Sequence, residues 1–260
     1  MSEIVLVEQT GAVMRLTINR EERRNALNEE VCAALTAGVD QAEATAGVRV
    51  IVITGAGERA FCAGGDMKPG ADGAPFTIDP ANPRHYVVNL FRRLEACGLP
   101  TIARVNGHAL AGGLGLVCAC DMAIGVDSAS FGVPESRVGL FPMMILSYMQ
   151  RIIPRRKLFE MCITGERFSA QDALAFDILN YVEPAARLDE RLDWLIERIV
   201  DKTPTGIRLG KQAFRAIEDM PLDKAFEYTQ LMLPMMALTE DAREGMRAFN
   251  EKRAPRWTGK

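Results

Sequence analysis

The segment FCAGGD, residues 61–66, sets two adjacent glycines after an apolar run and before an acidic residue. Glycine serves tight turns because it enters positive φ without a steric penalty. It serves binding sites for a second reason: an N–H with no Cβ beside it can approach a ligand closely. One such segment leaves both readings open. A second, ALAGGLG at residues 109–115, favours binding.

Working outward, VRVIVIT (residues 48–54) is a short β-branched run and reads as a buried strand. Upstream, residues 4–7 and 12–19 read as two strands of a hairpin joined at Thr10-Gly11. Asn28 caps a helix reaching about Thr45, with Glu29 and Glu30 in its first turn. Residues 67–84 carry four prolines and no periodicity, a long loop. Residues 85–97 read as a helix and 101–105 as a strand. NGHAL (106–110) then leads through the second glycine cluster into a helix of small residues over 114–120. Residues 121–126 form another strand, and 130–133 an extended piece ending at Pro134-Glu135. SAQD (169–172) resembles a capping box with Asp in place of Glu or Gln, and 180–182 is a short strand. From about residue 186 the pattern predicts three helices, broken near Thr203-Pro204 and across MPLD (220–223). A strand-strand-helix unit thus recurs loosely, with helices added at the C-terminal end and no interdomain linker.

The 260 residues, 48% hydrophobic and 25% charged, suffice for one large domain or a domain with an appendage. A net charge of −3 argues against a general nucleic-acid binder, and the short basic cluster at Arg155, Arg156 and Lys157 reads as a solvated helix face. Six cysteines lie in apolar or small-residue surroundings with no C-x-x-C pair. They read as buried reduced thiols rather than metal ligands. The first residues lack a basic region followed by a long apolar run, and no stretch reaches membrane-spanning length. The expectation is a soluble, cytoplasmic protein.

With these segments in place, the chain resembles the crotonase superfamily, the enoyl-CoA hydratase/isomerase family. The resemblance rests on NREERRNALN (19–28), AFCAGGD (60–66), PTIARVNGHALAGG (100–113), CDMAI (120–124), FGVPESRVGL (131–140), TGERFSAQDA (164–173) and EKRAPRW (251–257), in that order. It implies an α/β spiral of ββα units. Residues 1–198 would form the core with the thioester site, and 199–260 a helical region for trimerisation and a lid. The implied oligomer is a trimer or dimer of trimers. The implied substrate is an acyl-CoA thioester, with no metal or redox cofactor.

A thioester becomes enolate-like when a proton leaves its α carbon, and two preorganised N–H donors at its oxygen are worth about 3–4 kcal/mol each. The resemblance assigns these donors to Gly65 and Gly112, the latter near a helix N-terminus. It assigns contacts with CoA to Arg24, Ala26 and Ala63; Arg24, Lys68 and Lys252 are cations suited to its diphosphate, and Asp66 is counted with the same set. For the charged members of that set a solvated or structural role stays open, and Asp66 also suits orienting its loop. Family hydratases carry two glutamates. Here the first position is Gly115 and the second is Glu135, in VPES. Water addition suits two carboxylates, whereas moving a double bond needs one base. The pattern therefore resembles the family's isomerases, with Glu135 as base and acid. Hydration by Glu135 alone, or a non-catalytic CoA-thioester-binding subunit, are the alternatives. An RNA-binding role disagrees with the charge. Met143 and Met144 open MMILSYM, where the family usually has small residues, and are expected in the acyl pocket. His85 and His108 read as structural histidines, His85 at a helix start that faces the pocket.

Overall fold

The computed structural model describes residues 3–66, 80–81 and 83–260. The expected long loop over 67–84 therefore falls largely outside the described residues, as does Lys68.

The hairpin forms as β1 (Val5–Thr10) and β2 (Val13–Ile18), paired antiparallel with Thr10 opposite Val13. Strand β2 alternates, burying Met14, Leu16 and Ile18, the period of two that presents one face to a core. Strand β3 (Val50–Gly55) is buried at every position and runs parallel to β2 on one side and to β5 (Thr101–Val105) on the other. A parallel strand covered on both faces has no use for alternation, hence the continuous Val/Ile run. With β7 (Met122–Val126) and β10 (Tyr181–Glu183) these strands form a six-stranded sheet, order β1-β2-β3-β5-β7-β10.

After β3, β5 and β7 the chain makes a second, three-residue strand that belongs to another sheet: β4 (Ala60–Cys62), β6 (His108–Leu110) and β8 (Ser130–Gly132), joined by β9 (Phe168–Ser169). Helices follow each pair: α1 (Glu29–Ala44), α2 (Tyr86–Ala96), α3 (Gly112–Cys118) and α4 (Met143–Ile152). The strand-strand-helix unit therefore occurs four times. Two of its short strands, β4 and β6, escape a sequence reading because three residues carry no periodicity. Buried Asn106 holds one crossing between sheets: its Oδ1 accepts from Gly55 N (3.1 Å) and its Nδ2 donates to Gly57 O (2.7 Å).

The predicted caps form. Val31 N donates to Asn28 Oδ1 (2.9 Å), and Ser169 and Asp172 complete a reciprocal capping box. Helix α3 starts two residues before its expected position and ends two earlier, which puts Gly112 in its first turn. Next come α5 (Arg155–Thr164), α6 (Ala170–Ala175), α7 (Leu188–Val200), α8 (Pro204–Ile217), α9 (Leu222–Ala237) and α10 (Glu240–Asn250). Four helices rather than three follow residue 186. The missed break is at Thr239, whose hydroxyl accepts from Ala242 N (3.1 Å) ahead of Glu240 and Asp241. This is an N-cap with acidic first-turn residues inside a run that otherwise reads as continuous. Among the described residues no helix is long and apolar enough to cross a membrane.

Asp241 ties the C-terminal helices to the tail. Fully buried, it accepts from Thr258 N (2.7 Å), Gly259 N (3.1 Å), Thr203 Oγ1 (3.3 Å) and Thr205 N (3.3 Å). Burial alone would raise its pKa, but these donors outweigh it and hold the carboxyl below its ordinary value. A depressed pKa contributes stability above the unfolded-state value that is lost as pH falls through the folded one. Asp241→Ala should therefore cost about 2–4 kcal/mol in denaturant unfolding at pH 7, with the gap to wild type narrowing on acidification.

Candidate active site

The FCAGGD turn is built by contact with the second glycine cluster. Gly64 has φ +101°, and a Cβ there would stand 2.6 Å from Ala111 Cβ and 3.2 Å from Gly112 N. A Cβ on Gly113 would overlap the Cys62 carbonyl oxygen of β4. These two positions must be glycine for the turns to touch. Gly65 differs, since a Cβ there would meet nothing within 4 Å.

The RNAL segment stitches the first turn from below. Leu27 N donates to Gly64 O (2.7 Å), Asp66 N to Leu27 O (2.7 Å) and Ala63 N to Arg24 O (3.0 Å). This pairing brackets Gly65, whose N–H, like that of Gly112, has no backbone acceptor among the described residues. Arg24 and Asn25 adopt consecutive left-handed conformations, φ 52° and 56°, which cost on the order of 1 kcal/mol or more for a non-glycine residue. The buried Asn25 side chain compensates. It accepts from Arg20 N (3.1 Å) and donates to Ala56 O (3.0 Å) and Ala60 O (2.7 Å). Arg20 donates to Ala26 O (2.8 Å) and pairs with Asp66 (3.0 Å), the two side chains only 14% and 18% exposed. Asp66 is thus engaged in holding its loop. Arg20 and Asn25 are positioning residues that the sequence reading missed, although both lie within NREERRN.

Both glycine turns border a cleft of about 920 Å³, together with Leu27, Ala63, Met143 and Met144. Glu135 lies on its wall, in a short 3₁₀ turn over Pro134–Val138. Its Oε2 is buried and takes no hydrogen bond from any described group. Burial raises its pKa, and a backbone hydrogen bond only partly opposes this. Glu135 is the one carboxylate among the described lining residues, whereas Arg84, Arg92 and Arg137 give the cleft cationic flanks. No sequence signal marked Arg84 and Arg92; Arg92 reaches the cleft from α2 and Arg84 from the residues just before it. Arg137 pairs with Glu166.

Of the other expected residues, Ala26 is buried under the RNAL turn, Arg24 is exposed on it, and Lys252 follows α10, outside the lining. His85 does face the cleft, and its Nδ1 accepts from Val87 N (3.3 Å) as the cap of α2; burial lowers its pKa. His108 Nδ1 accepts from Ser130 N (3.1 Å). All six cysteines are free and buried, with Cys32, Cys62 and Cys118 pushed up to about 12 by burial. Among the described residues no group of His, Cys, Asp and Glu is arranged to hold a metal ion.

A spiral of ββα units with a parallel sheet and C-terminal helices is the architecture of crotonase-fold proteins. An enoyl-CoA hydratase structure from Bacillus anthracis superposes with a TM-score of 0.89 at 31% identity, covering 99% of this chain and 100% of that one. The family model described as enoyl-CoA hydratase/isomerase matches residues 8–260, and the chain belongs to that family. The chain is similar to the (E)-benzylidenesuccinyl-CoA hydratase of Thauera aromatica, 34% identical over 98% of this chain and 99% of that protein. It is likewise similar to the carnitinyl-CoA dehydratase of Escherichia coli, 32% identical over the full length of both.

The contrast between the adjacent glycines is directly measurable. Gly64→Ala should destabilise by about 2–4 kcal/mol through its φ and the Ala111 contact. Gly65→Ala, facing open space, should stay within about 0.5 kcal/mol in the same unfolding experiment.

Proposed function

We propose that this protein is an enzyme acting on an acyl-CoA thioester, moving the double bond of an enoyl chain from the β,γ to the α,β position. The thioester oxygen sits between the N–H groups of Gly65 and Gly112, and the helix α3 N-terminus adds positive potential there. Glu135 takes a proton from C2, electron density flows into the dienolate held by the two donors, and the same carboxyl returns the proton at C4. One group that is base and then acid suffices. A raised pKa suits it, since the proton must leave the carboxyl as readily as it arrives. The observation that carries this reading is that Glu135, with its unpartnered Oε2, is the only carboxylate on the described cleft wall. Arg24, Lys68 and Lys252 are candidates for the CoA phosphates, and Met143 and Met144 for contact with the acyl chain.

A second reading, hydration or its reverse, draws on the names of the two relatives. It shares the oxyanion donors and differs in where oxygen ends up, so the products separate them. We further propose that residues 199–260 serve assembly. Helices α8 and α9 bury little of themselves and expose Phe214, Phe226, Leu231 and Leu233. That amount of solvent-facing apolar surface fits a homotrimer interface.

Purified protein should convert a trans-3-enoyl-CoA to the trans-2 isomer, and Glu135→Gln should lower kcat by about 10³-fold or more. Predominant 3-hydroxyacyl-CoA would establish hydration instead. The acid limb of the kcat/KM–pH profile should lie above the ordinary glutamate range, because the ionised base is required and burial raises its pKa. A raised folded pKa also means that ionising Glu135 costs stability as pH rises through it. The inactive Glu135→Gln variant should therefore melt no lower than wild type at pH 7, and higher if the desolvation cost is released.

A further inference from the structure

We infer that Ile145 is a specificity-determining residue: it seals the cleft wall over Gly115 and keeps water and any second polar group away from the acyl chain. The inference rests on the Glu135 reading above.

Gly115 is buried in α3, three residues beyond Gly112. On a helix such positions share a face, so a side chain at 115 would emerge beside the donor turn. No room exists for one. A Cβ at Gly115 would overlap Ile145 Cγ2, stand 2.7 Å from Ile145 Cβ and 3.2 Å from Phe91 Cζ. Ile145 is 3% exposed and yet lines the cleft, so it occupies the space above Gly115 and presents its other side to the acyl chain. It is also held in place. Three residues along α4, Tyr148 packs edge-on against Phe91 (5.5 Å between centroids), and its hydroxyl donates to Phe91 O (3.1 Å). α4 is thereby fastened to α2 across Gly115. A β-branched side chain has little rotamer freedom in a helix, so Ile145 is a stiff plug.

The chemical consequence follows from what hydration requires. Water adding to a trans-2-enoyl thioester places hydroxyl on C3 and a proton on C2. The water must be held near C3 and must lose its own second proton to a base or to solvent. An apolar wall gives that water no partner at C3, so the enoyl thioester is left to proton transfer at C2 and C4.

Two experiments test the plug. In a double-mutant cycle read by melting temperature, Gly115→Ala should destabilise the wild type by several degrees but be accommodated in the Ile145→Ala background. In product analysis, Ile145→Ala should raise the share of 3-hydroxyacyl-CoA formed from a trans-2-enoyl-CoA by about tenfold or more, with the milder Ile145→Val in between. Wild-type double-bond migration with an unchanged product ratio in both variants overturns this inference alone, as does additivity in the cycle. Predominant hydration by the wild type overturns it together with the isomerase assignment. A wild type that turns over neither thioester removes the Glu135 reading, and this inference with it.

Discussion

The structure depends on one close approach: the backbone of Gly64 lying against Ala111 and the first turn of α3. Two segments almost fifty residues apart, each ending a short strand of the minor sheet, are brought within van der Waals contact there. Their free N–H groups then border one cleft. A methyl group at Gly64 or Gly113 would push the turns apart. The demand for absent side chains is met by packing everywhere around them. β3 is buried throughout, Asn106 and Asn25 satisfy the bends, and Arg20 with Asp66 closes the outer edge.

Much of this was legible in the sequence because the relevant physics is local. The β-branched run at 48–54, the Asn28 cap and the Ser169–Asp172 box each act within a few residues, and each appears where expected. The glycine pairs announced close backbone approach, and the extended piece ending at Pro134-Glu135 appears as β8 running into the turn that carries Glu135. What stayed hidden depends on distant partners. Strands β4 and β6 are too short to show a period and exist because a neighbouring strand waits for them. Asn25 looks like a turn residue until Ala56 and Ala60 supply the acceptors. Arg92 becomes part of the cleft only because α2 is laid along it, and the packing of Ile145 over Gly115 joins two helices at positions thirty residues apart.

The electrostatics of the cleft oppose stability and serve chemistry. A carboxylate oxygen buried without a donor is a cost to folding, and Glu135 Oε2 is one, in a wall otherwise flanked by arginines. Asp241 shows the alternative: fully buried, it is surrounded by donors and titrates below its ordinary value, as a structural group should. The two acidic residues thus differ in how many hydrogen bonds the protein supplies, and their pKa values move in opposite directions.

The sheet order has a consequence for how the molecule is made. In the larger sheet the strands run β1-β2-β3-β5-β7-β10 and in the smaller one β4-β6-β8, so spatial order repeats the order of synthesis. Each new strand has only to add to an edge that is already formed, as in stacked-repeat proteins, where structure propagates from neighbour to neighbour. A chain emerging from the ribosome can settle turn by turn, with its growing edge exposed for only one unit at a time. The turn that carries Glu135 and the helix that carries Ile145 follow both glycine turns in the chain, so that wall of the cleft is added to turns already made.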